Sequence, residues 1–334
     1  MRALIVTAVA AERDAVVRGL TRHLHAAAPA GGSGSTGEAT APDGSAVTGT
    51  TAATPAPPGA AGASAPPDGP GITGDGRPTT PGREAGCIEV TLPGAVLHRL
   101  TRSGSPALTV DVLAAGVGPA AAAAGTATAL TAAALAGTPY DLAVSAGIGG
   151  GFTGPASAGA GSSSGSGSGS GDAPRAPLGS VVVADAVVAA DLGAETPDGF
   201  AAVTDLGFGT VEHLPPADLV AAAAEAARAA RGTVLTVSTV TGSAGRAAEL
   251  LRRHPRATAE AMEGFGVAEA AAAQSVPVLE VRAVSNAVGP RDRAAWRIGE
   301  ALEALADAFG RLVPVLSIWT RAPGPDPDRE GTGP

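Results

Sequence analysis

Leu108-Thr-Val-Asp-Val-Leu113 runs through Gly116-Val-Gly118 into residues 119–136 and on to Asp141-Leu-Ala-Val-Ser145. The first run is short, apolar and β-branched, and reads as a buried strand. Pro119 suits the first turn of a helix, where its missing N–H has no intrahelical partner to lose. Residues 119–136 therefore read as a helix. Residues 141–145 read as a second strand, ending in Ala146-Gly-Ile-Gly-Gly-Gly151. The alternation extends both ways. Upstream, Leu4-Ile5-Val6 begins a strand, followed by a turn at 8–11 and a helix through Leu20. Downstream lie a strand at 179–185, a helix at 217–231, a strand at 233–240 and a helix at 243–254 with Ser243 as its N-cap. A helix at 263–274, a strand at 278–284 and a last helix at 298–315 complete the chain. Strands alternating with helices predict an α/β fold, a central mixed, mostly parallel sheet covered by helices on both faces.

Composition sets the boundaries of this core. Gly (48) and Pro (28) make up a large share of the 334 residues and are unevenly spread. Residues 26–86 are almost entirely small or polar and are expected to form a disordered insertion, because they bury too little apolar surface to offset their ordering entropy. A Gly/Ser-rich loop is expected at 154–177 and a disordered tail at 322–334. The remaining 236 residues fit a single domain spanning 1–321.

Several function classes are excluded. The net charge is −9 and the basic residues are scattered, so no nucleic-acid groove is expected. One cysteine, Cys87, rules out a disulfide framework, and five histidines without ligand spacing argue against a metal. The apolar start at 3–11 is interrupted by Glu12-Arg13-Asp14, and no spanning stretch follows, which predicts a soluble cytoplasmic protein with no membrane partner. All 22 basic residues are Arg, and with so much Ala and Gly this points to a codon bias that makes Ala-rich stretches less informative.

Ligands in such sheets sit where strands end. The strand exits are Thr7–Glu12, 115–118, 145–150 and 285–289, joined by the helix start at Met262-Glu263. Gly147-Ile148-Gly149-Gly150-Gly151 is a poor dinucleotide fingerprint, since no helix follows it, and is read as backbone that a ligand approaches closely. Glu12 alone is a carboxylate favoured at a helix start, and Asn286 alone a turn residue.

Their order and context are more specific. Ala8-Val-Ala-Ala-Glu12, Ala115-Gly116-Val-Gly118, Ser145-Ala-Gly147-Ile148-Gly149-Gly150, Glu260-Ala-Met262-Glu263-Gly-Phe-Gly266 and Arg282-Ala-Val-Ser285-Asn286 together resemble the purine nucleoside phosphorylase and nucleosidase superfamily. Within it, the block from Met262 through Arg282 to Trp296 is similar to the futalosine hydrolase family, which removes hypoxanthine from futalosine in menaquinone synthesis. The resemblance implies a three-layer nucleoside-phosphorylase-type fold, a nucleoside substrate and no cofactor. It also implies a homo-oligomer, a dimer in the first instance, because relatives complete their substrate pocket from a neighbouring subunit.

The resemblance also implies roles. Glu12 would deprotonate the attacking water, help typically worth about 10²–10⁴-fold. Glu263 would accept from ribose hydroxyls and Met262 would pack on the sugar, with Gly116, Gly147, Ile148, Gly149 and Ser285 lining the site. Asn286 stands where adenine-cleaving relatives carry Asp. Hypoxanthine offers two acceptors, O6 and N7, to which an amide NH₂ can donate. Phe152 or Phe208 would replace the stacking aromatic those relatives carry where this chain has Ala244-Gly245. Arg246, Arg291 or Arg293 would meet the carboxylate of the substrate's carboxyphenyl arm, with Trp296 against its ring. A phosphorylase, a methylthioadenosine/S-adenosylhomocysteine-type nucleosidase and a non-catalytic nucleoside-binding protein remain alternatives.

Overall fold

The computed structural model describes residues 1–26, 86–103, 105–152 and 175–320. The expectations for 26–86, 154–177 and 322–334 lie outside these residues, apart from 26, 86 and 175–177. In chain order the elements are β1 (Arg2–Thr7), α1 (Ala10–Ala26), β2 (Cys87–Leu92), β3 (Ala95–Arg102), β4 (Leu108–Ala114), α2 (Pro119–Leu135) and β5 (Leu142–Gly151). They continue with β6 (Val181–Ala189), β7 (Gly193–Thr196), β8 (Gly199–Ala202), β9 (Glu212–His213), α3 (Ala217–Ala227), β10 (Ala230–Thr236) and α4 (Ala244–Arg253). The last are β11 (Ala257–Ala261), α5 (Gly264–Ala272), β12 (Val278–Ala287) and α6 (Ile298–Ile318).

The main sheet runs β11-β10-β6-β12-β5-β1-β4-β3-β2, with β9 on β6. Strands β4, β1, β5 and β12 are mutually parallel, as are β6, β10 and β11. The two groups meet antiparallel at β12 and β6, and the β2–β3 hairpin adds an antiparallel edge. The expected α/β architecture with a mixed, mostly parallel sheet is therefore present.

β5 organises the molecule. Its first half pairs with β1, from Ala3↔Leu142 to Val6↔Ser145. Its second half turns to β11, with Glu260↔Gly150 and Ala259↔Gly151, while β12 follows it along the other side. This corrects the sequence reading twice. Residues 146–151 do not follow the strand but continue it, and Ser285-Asn286 likewise lie inside β12.

Helices α1, α3 and α6 cover one face through Val16, Leu20, Leu219, Leu305 and Phe309. Helices α2 and α5 cover the other through Leu130, Phe265 and Val267. The small residues serve close approach: a Cβ on Gly19 would sit 2.0 Å from the Ala306 carbonyl of α6, and one on Gly266 2.0 Å from that of Pro119. Alternate residues of β12 divide between the faces. Leu279, Val281 and Ala283 join the α6 side, and Val278 and Val284 the α5 side.

Three further elements differ from the sequence reading. The helix expected through residue 231 ends at Ala227, because Arg228 takes a left-handed conformation (φ 54°) and the chain re-enters the sheet at Ala230. Helix α1 runs past Leu20 to Ala26. β11, Ala-Thr-Ala-Glu-Ala, carries no apolar β-branched run, so only its pairing with β10 and β5 makes it a strand.

At the β1–β4–β3 junction the fully buried Asp111 takes Arg99 Nε at 2.7 Å, Arg2 NH2 at 3.0 Å and the Tyr140 hydroxyl at 2.6 Å. Among the described residues no helix is long and apolar enough to cross a membrane.

Candidate active site

Glu12 enters the site from the first turn of α1, one loop beyond β1. Its Oε2 accepts from the backbone N–H of Ala8 (3.0 Å) and Val9 (3.2 Å). The Val9 contact is the backward half of a capping box, in which a Glu on the third helical residue serves an orphan donor. Its Oε1 accepts from Ile148 N–H of β5 at 2.9 Å. The side chain is thus fixed from two elements while only 4% of the residue is exposed. Burial pushes its carboxyl above the usual range, and nearby Glu263 adds to this; Arg282 and the N–H groups of Ile148 and Val9 oppose it only in part. A raised pKa makes a carboxylate a stronger base than an ordinary one.

Next to Glu12 lies a guanidinium with no exposure at all, that of Arg282 on β12. It donates to Glu263 Oε2 (3.1 Å), Glu280 Oε1 (2.9 Å) and Ser145 Oγ (2.8 Å). Glu263 is the residue before α5, and its Oε1 accepts from the N–H of Gly118, the residue before α2, at 3.1 Å. The N-terminus of α2 therefore meets this carboxylate, a favourable place for negative charge. Gly118 (φ 94°) and Gly116 (φ 107°) hold left-handed backbone there, and Gly116 N–H also bonds Ala8 O, tying this turn to the Glu12 loop.

On the side a Cβ would occupy, the β5 glycines face protein atoms. A Cβ on Gly147 would lie 2.6 Å from both Glu12 Oε1 and Arg282 NH1. On Gly149 it would meet Glu260 O at 2.8 Å, and on Gly150 Val288 Cγ2 at 2.9 Å and Asn286 Nδ2 at 3.2 Å. Glu12 thus flanks β5 at Gly147 and Asn286 at Gly150, three residues or about 10 Å along the strand. The Ser285 hydroxyl lies 2.9 Å from Asn286 Oδ1 and 3.2 Å from Gly149 O. The Asn286 NH₂ donates to Ala287 O at 3.0 Å, which leaves one of its protons for another acceptor.

The other expected residues fall around this centre. Met262 is half-buried beside Glu263. Phe152 is fully buried in a cluster with Val188, Leu235 and Val288, whereas Phe208 is 69% exposed. Ser243 caps α4 by accepting from Arg246 N–H, and the Arg246 guanidinium pairs with Glu249. Arg291 and Arg293 are exposed and Trp296 is half-buried, all in the segment between β12 and α6. Among the described residues no group of His, Cys, Asp or Glu could hold a metal ion.

The sequence motifs contain Arg282 but imply no role for it, nor for Ser145 or Glu280. A signal was available. Glu280-Val-Arg282 puts two opposite charges two apart, hence on one face, in a strand otherwise apolar from 278 to 284. Such charges stay buried only when paired.

Residues 107–316 match the family model of the phosphorylase superfamily. The chain is 68% identical to a futalosine hydrolase of Streptomyces coelicolor over 231 residues, 69% of this chain and 87% of the relative. It is 42% identical to one of Acidothermus cellulolyticus over 240 residues, 70% and 88%. In fold it resembles a futalosine hydrolase mutant of Helicobacter pylori, with a TM-score of 0.59 at 13% identity, covering 94% of this chain and 99% of that one. It also resembles a methylthioadenosine/S-adenosylhomocysteine nucleosidase of Colwellia psychrerythraea in complex with adenine, with a TM-score of 0.57 at 18% identity, covering 95% and 93%. The chain belongs to the futalosine hydrolase family of the phosphorylase superfamily and is a hydrolase of N-glycosyl bonds.

Proposed function

We propose that the protein hydrolyses the N-ribosidic bond of futalosine, releasing hypoxanthine and dehypoxanthine futalosine, in the cytoplasmic synthesis of menaquinone. The observation that carries this reading is Glu12, a fixed and buried carboxylate with a raised pKa, in a chain of this family. Glu12 takes a proton from water, the water oxygen bonds the anomeric carbon, and the carbon–nitrogen bond breaks with its electron pair on the purine. The purine then picks up a proton. Positive charge grows on the sugar during this step, and Glu263 and Glu12 place negative charge beside it. The Asn286 NH₂ donates to the O6/N7 edge as the base gains charge, and Met262 packs on the ribose. Arg246 and Arg291 are the groups assigned to the carboxyphenyl carboxylate, and the working unit is a homo-oligomer.

Water rather than phosphate as nucleophile is supported by the start of α1. The free N–H groups of a helix start bind anions. Here the N–H groups of Ala8 and Val9, in the turn leading into α1, are taken by the chain's own Glu12, a carboxylate that would repel an anion, and the neighbouring Arg13 pairs with Asp14. The test is Glu12→Gln. Release of hypoxanthine is expected to fall about 10²–10⁴-fold, while calorimetry still detects futalosine binding. Undiminished release would contradict the role of Glu12.

A further inference from the structure

Glu280 has no task in this scheme, yet it is the most deeply buried carboxyl of the site. Its side chain has no exposure, Oε1 accepts from Arg282 Nε at 2.9 Å, and Oε2 has no hydrogen-bond partner among the described residues. The space it fills exists because residue 264 is glycine: a Cβ there would lie 2.3 Å from both carboxyl oxygens. Three carboxyls, Glu12, Glu263 and Glu280, thus surround the single guanidinium of Arg282. If all were ionised, the buried site would hold a surplus of negative charge, which is strongly disfavoured. An oxygen with no partner is far cheaper to bury as a hydroxyl than as half of a carboxylate. The lone Oε2 therefore marks where the surplus proton sits.

We propose that Glu280 is a positioning residue for the reaction assigned above: a neutral carboxylic acid, protonated on Oε2, whose Oε1 anchors Arg282 through Nε and keeps the guanidinium from closing onto Glu12. The inference rests on that functional reading. Burial pushes the Glu280 carboxyl up and Glu263 adds to this, against the opposing pull of Arg282. The charged side chains acting on Glu280 are Arg282 and Glu263, and the same two act on Glu12. Arg282 and Glu12 make no direct hydrogen bond, although a Cβ on Gly147 would touch both. Loss of the Nε anchor frees the guanidinium to pair with Glu12, lowering the pKa of the base and weakening it.

The test compares pH profiles of futalosine hydrolysis for the full-length protein, Glu280→Met and Glu280→Gln. Methionine fills similar space but cannot anchor Nε. Its acid limb is expected to move down by about one pH unit and its kcat to fall roughly tenfold, with KM little changed. Glutamine reproduces a neutral acceptor and is expected to return the limb to its wild-type position. A wild-type limb and kcat in Glu280→Met would overturn the proposal, as would a shifted limb in Glu280→Gln, which would show that the charge matters. Failure of the Gln variant to fold would also count against it, because Gln keeps the hydrogen bonds of the neutral acid. If the wild-type protein releases no hypoxanthine, the functional reading has failed. The anchor is then read without turnover from the Arg282 Nε–H resonance by NMR, expected to persist in Glu280→Gln and to shift or broaden in Glu280→Met. A resonance lost in Gln, or unmoved in Met, would refute the anchor.

Discussion

Substituting Gly147 by Ala adds one methyl group at the centre of the charge cluster. The new Cβ would lie 2.6 Å from Glu12 Oε1, 2.6 Å from Arg282 NH1 and 3.0 Å from Glu12 Cδ. Ordinary contact needs about 3.5 Å, so something must retreat by roughly 1 Å. β5 is held at Gly147 by its register with Arg282 of β12, and on either side by its ladders with β1, up to Ser145, and with β11, from Gly150. Arg282 is held by three partners, Glu263, Glu280 and Ser145. The Glu12 carboxylate therefore moves, and its 2.9 Å bond to Ile148 N–H is lost. A hydrogen bond to a charged group contributes about 1.5–3 kcal/mol and overpacking costs about 1–3 kcal/mol, so the variant should lose roughly 3–5 kcal/mol of stability. A 1 Å displacement of a reacting group costs about 10²-fold in rate. Urea unfolding measures the first quantity and hypoxanthine release the second. Gly118→Ala is the control: no atom lies within 4 Å of its Cβ, so only the strain of its φ of +94° is paid, about 1–3 kcal/mol. A Gly147→Ala protein with wild-type kcat and stability would refute the packing argument.

Two further outcomes follow from other parts of the molecule. Asn286→Asp places acceptors against the acceptors of a 6-oxopurine, so turnover of the hypoxanthine substrate should drop about 10²–10³-fold; unchanged turnover by HPLC would contradict the assignment. Asp111→Asn removes the charge between two arginines, and should destabilise the fold by about 2–3 kcal/mol, less than for a fully buried pair because Arg2 and Arg99 are 17% and 26% exposed. Burial raises the Asp111 carboxyl, but hydrogen bonds from Arg99, Tyr140 and Arg2 outweigh it and hold its pKa low. Its stabilisation is therefore present above the unfolded value near 3.9 and lost as pH falls through the lower folded value. The gap between wild type and Asp111→Asn in denaturant melts should close as the pH drops into that window, and a gap independent of pH would contradict the assignment.

The parts of the fold legible in the sequence are those with local signals. The strand–helix–strand unit from Leu108 to Ser145 stands on a β-branched run and on Pro119, and both elements form as read. β11 has neither signal and exists because β10 and the end of β5 leave it two ladders to complete. Gly147, Gly149 and Gly150 look like the end of a strand, yet they extend one, because Arg282, Glu12, Asn286 and the β11 backbone fill the places of their missing side chains. The same holds at the site. Glu12 was legible from its place one turn beyond the first strand. The Arg282 cluster was not, because Ser145, Glu263 and Glu280 reach it from β5, from the start of α5 and from β12, and only the sheet brings them together.

The central claim is that this site hydrolyses a 6-oxopurine nucleoside bearing the futalosine side arm. The most direct measurement incubates the protein separately with futalosine, inosine and methylthioadenosine in phosphate-free buffer and quantifies the free base. The account predicts prompt hypoxanthine release from futalosine without phosphate, with little from inosine and no adenine from methylthioadenosine. An absolute requirement for phosphate, or a preference for methylthioadenosine, would contradict it.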